Sequence, residues 1–360
     1  MFPMTGPSSL RVGLLGYGLA GRVFHAPLVA ATDGLELAAV VTTDPDRRAQ
    51  VLRDHPGTQL FDRSDQLVGS GDVDLIVVAT PNRSHVAMAR LAIEAGLPVV
   101  VDKPLAATSA EGREVVEEAR RRGVALTVFQ NRRWDGDFLT VRRLIDEGVL
   151  GTVLRFESRF DRWRPEIRAR WREQAAPEDA GGLLFDLGAH LVDQAVQLFG
   201  PVASVYAEID LRRPGTAVDD DDFIALTHAS GARSHLWMSV LAAQLGPRMR
   251  VLGDRAAYTK YGLDGQEAAL GAGQRPGDDG WGEDPPAQWG LVGAEGDLRE
   301  IRTEPGRYQA FYAGLVAALQ NGAPLPVDPA ESVAVLEILE AARRSAARRE
   351  IVHVAPAAET

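Results

Sequence analysis

The chain has 360 residues, 45% hydrophobic and 25% charged, with a formal net charge of -11 and no cysteine. That composition provides for a sizeable core, and the length exceeds what one core usually serves, so two domains are expected. Disulfides, thiolate catalysis and thiolate-bound zinc are excluded, the acidic balance argues against nucleic acid, and every apolar run stops short of the roughly 20 residues that span a bilayer, so neither a nucleic-acid nor a membrane partner is expected.

Residues 1–9 carry no basic region and no apolar core, so no signal peptide is read there and a cytoplasmic location is expected. An apolar run from Leu10 to Leu15 then breaks into Gly16, Tyr17, Gly18 and Gly21 before helical spacing resumes. This pattern predicts a strand, a tight turn and a helix. The first glycine permits the turn, the second lets backbone approach a pyrophosphate, and the third lets the helix pack on the strand, so a dinucleotide cofactor is expected at Gly16, Tyr17, Gly18 and Gly21.

Leu35 to Val41 reads as the second parallel strand, and its tip should meet the adenosine ribose. Here the tip carries Thr42 and Thr43, with Arg47 and Arg48 a helical turn on. Hydroxyls and guanidinium groups suit a 2'-phosphate, which favours NADP over NAD; Asp44, if the loop delivered it to the ribose, would favour NAD. The continuous apolar run Asp74 to Ala79 ends in Thr80, Pro81 and Asn82, with His85 one turn later. These four could contact the dinucleotide, although Asn82 could equally cap the helix and His85 lie exposed. Leu97 to Val101 leads into Asp102, Lys103 and Pro104. A lysine at the carboxyl edge of such a sheet can donate to a substrate oxygen or, if desolvated, move a proton; an isolated surface turn is the alternative.

Val124 to Phe129 supplies a sixth strand and closes a nucleotide-binding domain of residues 1–130. Asn131, Arg132 and Arg133 follow, dense in donors, where a polyhydroxylated substrate could be gripped or a hinge pinned by arginines. From Gly151 the pattern turns to alternation, with runs at 202–211, 223–228, 232–240 and 248–252 and one helix near 185–199. The predicted fold class is therefore α/β: an N-terminal Rossmann parallel sheet, then an α+β domain of residues 131–360 with a large, mainly antiparallel open sheet. Helices within about 307–349 are expected to pack back on the first domain. Asp219 to Asp222 reads as solvated charge rather than a cation site, no metal is expected, and the turn-rich span 271–290 is either functional or an edge.

Gly181 and Gly182 precede Asp186, His190 and Asp193, whose spacing puts all three on one helical face between leucines. A carboxylate beside an imidazole orients the ring and raises its basicity, as a base accepting a hydroxyl proton requires. A surface ion pair is the plainer alternative.

Taken together, the glycine loop, Thr80-Pro81-Asn82, Asp102-Lys103-Pro104 and the Gly-Gly to Asp193 stretch resemble the Gfo/Idh/MocA oxidoreductases along essentially the whole chain. Asn131 to Asp135, Phe160 to Arg162, Arg170 to Glu173 and Lys260 to Asp264 resemble its scyllo-inositol dehydrogenase branch. The resemblance implies a catalytic set of Lys103, Asp186 and His190, with His190 the proton acceptor and Lys103 polarising the reacting oxygen. It implies Trp171 and Arg172 as cofactor contacts; with Asn131, whose amide at the domain junction favours a substrate role, and Arg132, the expected substrate-binding set is Lys103, Asn131, Arg132, Asp186 and His190. Asp102 departs from the commoner glutamate before the lysine. A homodimer or homotetramer through the second sheet is likewise implied. Within the same fold, other sugar dehydrogenases, keto-sugar reductases, NAD-dependent glycosidases and cofactor-sensing regulators are the rivals; a regulator would be expected to lack the lysine or the histidine.

Overall fold

The computed structural model describes residues 9–167 and 180–354. Strands β1 (Leu10–Leu15), β2 (Leu35–Val41), β3 (Gln59–Phe61), β4 (Leu75–Val78), β5 (Val99–Asp102) and β6 (Leu126–Phe129) form one sheet in the order β3-β2-β1-β4-β5-β6, with every pairing parallel. β4, β5 and β6 are buried along their whole length, which is why they read as unbroken apolar runs rather than alternating ones. Strand order reverses between β1 and β4. In an open parallel sheet that reversal leaves a crevice at the carboxyl ends, and both the glycine loop after β1 and Lys103 after β5 stand there.

The second sheet has nine strands: β7 (Val153–Asp161), β8 (Val202–Asp210), β9 (Asp221–His228), β10 (Arg233–Ser239), β11 (Met249–Gly253), β12 (Ala257–Lys260), β13 (Gly290–Ala294), β14 (Asp297–Ile301) and β15 (Val352–His353). Their order is β14-β13-β12-β11-β7-β10-β9-β8-β15, and only β7 with β10 runs parallel. One face is covered by the helices Ala189–Phe199 and Pro329–Arg348, whose apolar sides hold Leu191, Val192, Leu336 and Leu339 in the core.

The helices predicted near the C-terminus run Gln309–Asn321 and Pro329–Arg348. The second fastens the two sheets together. Glu340 accepts from the Ser109 backbone N–H at 2.7 Å and its hydroxyl at 2.8 Å, while the Ser345 hydroxyl donates to Glu350 O at 2.6 Å and accepts from Ala207 N in β8 at 3.0 Å. The 271–290 span is mostly exposed but is pinned at Trp281 and Gly282. Trp281 is buried and donates from its indole to Gln309 Oε1 at 3.0 Å, and Gly306 N donates to Gly282 O at 2.8 Å.

One sequence expectation changes, and one pair of alternatives, substrate grip or structural pin for Arg133, is decided. The Asp219 to Asp222 run is not solvated charge: Asp219, Asp220 and Asp222 are all buried, because the run enters β9 with Asp222 on the inward face shared by Ile224 and Leu226. Arg133 is a structural cation. Its guanidinium donates to both oxygens of Asp193, at 2.6 and 2.8 Å, and to Glu331 at 2.6 Å, tying the segment after β6 to both covering helices.

Asp264 is a further buried acid, accepting from Gly136 N at 2.7 Å and Gln266 N at 2.9 Å. Burial outweighs those hydrogen bonds and pushes its carboxyl up to about 6. An acid whose folded pKa is raised makes the fold bind the proton more tightly than the unfolded chain does. Its penalty is therefore absent at the acid end and grows as pH rises through 4 to 6, reaching about 3 kcal/mol. Urea denaturation of the wild type and Asp264→Asn between pH 4 and 7.5 should show the wild type losing ground to the variant as pH rises; a constant difference would mean that Asp264 titrates normally.

Candidate active site

Each glycine of the first loop has its own geometric reason. Gly16 sits at φ 97°, and a Cβ there would lie 2.7 Å from Ala79 O in the neighbouring strand connection. A Cβ on Gly21 would lie 2.2 Å from Gly16 O, so the helix can press on the loop only if that residue is bare. A Cβ on Gly18 would meet nothing within 4 Å, and Gly18 lines the cleft. What a side chain would occupy there is the space a ligand would enter. The chain then makes a wide π-helical turn over Ala20–His25. Such one-turn bulges concentrate at functional sites.

The cleft encloses about 880 Å³ and runs from this loop to the second sheet. At one end lie Thr42, Thr43, Asp44, Arg47, Asp62 and Ser64. Asp44 caps the helix Pro45–Asp54, its Oδ1 accepting from Asp46 N at 3.0 Å and Arg47 N at 3.1 Å, while its Oδ2 stands 3.5 Å from Arg47 Nε. The paired expectation for Arg47 and Arg48 divides. Arg47 lines the cleft, whereas Arg48 donates to Thr42 O at 3.1 Å and Asp62 Oδ1 at 2.7 Å and so holds the loop from below.

Thr80 and Pro81 line the cleft's middle. Asn82 and His85 do other work. Asn82 does not cap the following helix but donates to Ala180 O at 3.1 Å, and His85 is buried with Nδ1 2.7 Å from Pro104 O and Nε2 2.8 Å from Thr80 O. Carbonyl oxygens only accept, so both bonds form together only when the ring is doubly protonated. His85 thus braces the two strand tips that carry Thr80 and Lys103.

At the other end, Lys103 and His190 are buried and Asp186 nearly so. Lys103 Nζ donates to Asp186 Oδ1 at 2.9 Å and also to the Asp186 main-chain oxygen. Asp186 belongs to a second π-helical turn, Leu184–Gly188, that feeds the helix carrying His190. Behind Lys103, Asp102 Oδ1 accepts from Lys103 N at 2.9 Å and lies 3.9 Å from His25 Nε2, while His25 Nδ1 is 2.6 Å from the Tyr312 hydroxyl. Burial pushes the Asp102 carboxyl up, but His25 beside it and the charges of His85 and Lys103 outweigh it and hold it below the ordinary range.

The structure brings Gly16, Tyr17, Gly18, Thr42, Thr43, Arg47, Thr80, Pro81, Asp102, Lys103, Asn131, Arg132, Asp186 and His190 around one cleft. Gly21 packs beneath it. Asp193 leaves the set, since it is bound to Arg133. Arg132 lines the cleft, but its guanidinium is held by Glu267 at 2.7 Å and Asp135 at 3.4 Å over the Phe160 ring. Trp171 and Arg172 lie outside the described residues. Sequence reasoning missed Ser64, Arg162, Arg164, Arg213, Asp219 and Glu267, all at the cleft. For Asp219 the strand pattern offers no signal: the alternation of β9 continued back turns Asp220 inward and leaves Asp219 on the other face, and its burial comes from contact with the turn at Gly182 and Leu184. Among the described residues no group of three or more His, Asp or Glu side chains could hold a metal ion, and no helix is long and apolar enough to cross a membrane.

A bare, open loop at a strand-order reversal fits a dinucleotide. Comparison with known proteins agrees: residues 10–130 match "Oxidoreductase family, NAD-binding Rossmann fold" and residues 142–354 match "Oxidoreductase family, C-terminal alpha/beta domain". The chain belongs to the Gfo/Idh/MocA oxidoreductase family. This member is 42% identical over 344 residues to the uncharacterized oxidoreductase YdgJ of Escherichia coli, covering 95% of this chain and 97% of that one. It is 36% identical over 348 residues to the scyllo-inositol 2-dehydrogenase (NADP(+)) IolW of Bacillus subtilis, covering 96% of both. The solved structure of yvaA from Bacillus subtilis superposes with a TM-score of 0.91 at 34% identity, over 97% of this chain and 99% of that one. Like its relatives, this Gfo/Idh/MocA protein is an oxidoreductase with an NAD-binding Rossmann fold.

Gly18 separates ligand approach from packing. Gly18→Ala should leave the thermal midpoint unchanged while raising the dinucleotide Kd by about tenfold or more, read by fluorescence titration; an unchanged Kd would mean that the open space is not where the cofactor lies.

Proposed function

We propose that this oxidoreductase transfers a hydride reversibly between NADP and a secondary hydroxyl of a cyclic polyol or sugar, with scyllo-inositol the first candidate. The observation carrying the reading is the convergence of Lys103 Nζ, Asp186 and His190 at one end of the cleft that begins at the glycine loop. Bound NADP supplies the hydride acceptor for the oxidation and the donor for the reverse. His190 accepts the hydroxyl proton as the carbonyl forms. Lys103, held by Asp186, donates a hydrogen bond to that oxygen and stabilises its developing negative charge. Asn131 presents an amide to neighbouring hydroxyls. The polar wall suits a ligand with several hydroxyl groups, and the two relatives named for inositol and apiose oxidation, inositol 2-dehydrogenase 2 of Saccharopolyspora erythraea and D-apiose dehydrogenase of Paraburkholderia graminis, act on such compounds.

For the cofactor, Asp44 caps its helix through Oδ1 and has Oδ2 3.5 Å from Arg47 Nε, and Thr43, Arg47 and Ser64 line the ribose end beside it, a set whose hydroxyls and guanidinium favour a 2'-phosphate. The similarity to a relative named for NADP(+) supports the same choice. We also infer a homo-oligomer through the second sheet. Its open side carries the Phe223, His235 and Trp237 cluster, with the Arg159 guanidinium 3.8 Å over the Trp237 ring.

An assay of inositols and aldoses with NAD and NADP separately tests the reading. Turnover with scyllo-inositol and NADP is expected; activity only with other sugars moves the substrate, and a cleaved glycoside with no net change in reduced cofactor would instead make the enzyme a glycosidase. On the active substrate, Lys103→Ala and His190→Ala should each lower kcat by about a hundredfold or more, with dinucleotide Kd changing far less. Near-normal turnover in either variant would remove that residue from the chemistry.

Arg47→Ala should weaken NADP by about tenfold and leave NAD nearly unaffected, whereas equal loss for both would show that Arg47 does not read the 2'-phosphate.

A further inference from the structure

Arg132 follows the tip of β6, the strand beside β5, and Asp102 pairs with Phe129 across the two, so Arg132 leaves the sheet next to Lys103. β2, whose tip carries Thr42 and Thr43, lies four strands away, about 19 Å at the usual strand spacing. Arg132 therefore belongs to the chemical end of the cleft.

Its guanidinium is immobilised from behind. Nη1 is 3.4 Å from Asp135 Oδ2 and 3.3 Å from the Tyr308 hydroxyl, which itself donates to Asp135 Oδ1 at 2.6 Å, and the group lies over the Phe160 ring. Nη2 donates to Glu267 Oε2 at 2.7 Å. Glu267 is clamped from its own side. The preceding Gln266 is fully buried; its side chain donates to Trp134 O at 3.1 Å and accepts from Tyr308 N at 2.7 Å, while Asp264 accepts from Gln266 N and from Gly136 N. Both partners of the pair thus ride on one rigid patch.

Only one of them is withdrawn from water. The Arg132 side chain is 7% exposed, whereas that of Glu267 keeps 41%, and both residues line the cleft. Among the described residues Oε2 is taken by Arg132 and Oε1 receives no hydrogen bond. A carboxylate paired with a guanidinium only accepts, so Glu267 offers the cleft a fixed acceptor, which a hydroxyl group can meet and a phosphate or carboxylate oxygen cannot. A clasp that only joined the helix Gln266–Ala272 to the segment after β6 would serve equally well with Glu267 covered; here it is left open at the cleft wall.

Building on the polyol reading above, we propose that Glu267 is a specificity-determining residue: its open carboxylate oxygen accepts from a substrate hydroxyl other than the one oxidised. Arg132 acts through Glu267 as a positioning residue and does not itself touch the substrate.

Steady-state kinetics of the wild type and Glu267→Ala with scyllo-inositol, myo-inositol and D-glucose, each with NAD and NADP, test this beside dinucleotide titration. On the pair of substrates that the wild type uses best, Glu267→Ala should raise the polyol KM by about tenfold or more and leave kcat within about threefold, as loss of a contact made equally in the ground and transition states does. Dinucleotide Kd should stay at its wild-type value. An unchanged KM, a loss in kcat larger than the rise in KM, or an equal rise in dinucleotide Kd would each overturn the proposal. Should Glu267→Ala fail to fold, Glu267→Met keeps the length of the side chain without an acceptor and is read in the same way. A wild type inactive on all three compounds would overturn the polyol reading and this proposal with it; an active wild type whose KM the variant leaves unaltered would overturn this proposal alone.

Discussion

The Lys103–Asp186 ion pair is the contact on which the site depends, because it joins the tip of a parallel strand in the first sheet to a helical turn leaning on the second. Both partners are largely withdrawn from water, and a buried pair is worth its desolvation only when geometry is tight on each side. Each side is tight for its own reason. Lys103 is set by Asp102, itself wedged between the Lys103 backbone and the His25–Tyr312 couple, and Asp186 is set by the turn that Asp219 seats. Three elements distant in sequence, the helix after the glycine loop, the β5 tip and the β9 entrance, therefore converge on one ammonium group.

Two of the helices that open on the cleft begin with a π-helical turn, Ala20–His25 and Leu184–Gly188. A π turn carries one more residue than an α turn and rotates the chain before it relative to the chain after it. This is why three acidic and imidazole side chains spaced for a single α-helical face do not share one partner. Asp186, inside the turn, reaches Lys103; Asp193, within the regular helix beyond it, reaches Arg133. Without the bulge, the same sequence would aim Asp186 along the Asp193 stripe and leave Lys103 without its carboxylate.

What was legible in the sequence is what local chemistry determines. The glycine spacing, the buried strands and the lysine at a strand tip each follow from a few adjacent residues. What was not legible is the choice among long-range partners. Arg47 and Arg48 look alike in sequence, and only the position of Asp62 turns one into a loop brace. Arg132 and Arg133 likewise divide between Glu267 and Asp193, partners 135 and 60 residues away along the chain. The burial of Asp222 could have been read from the inward face it shares with Ile224 and Leu226, but four consecutive acids outweigh such a pattern in any reading based on charge.

The two ends of the cleft are built from different materials, and that separates what each can vary. The glycine end presents backbone, so its fit depends on the absence of side chains and tolerates little change. The chemical end presents Lys103, Asp186 and His190, the first held by Asp102 and Asp186 and the second by the turn that Asp219 seats. Between them, Leu183, Leu187, Val218 and Val240 alternate with Asn131 and the arginines of the wall. None of those four apolar residues supports the ion pair through a hydrogen bond of its side chain. Substrate preference can therefore shift through them while the Lys103–Asp186 pair stays in place, which is the physical condition for one family fold to serve several sugars or polyols.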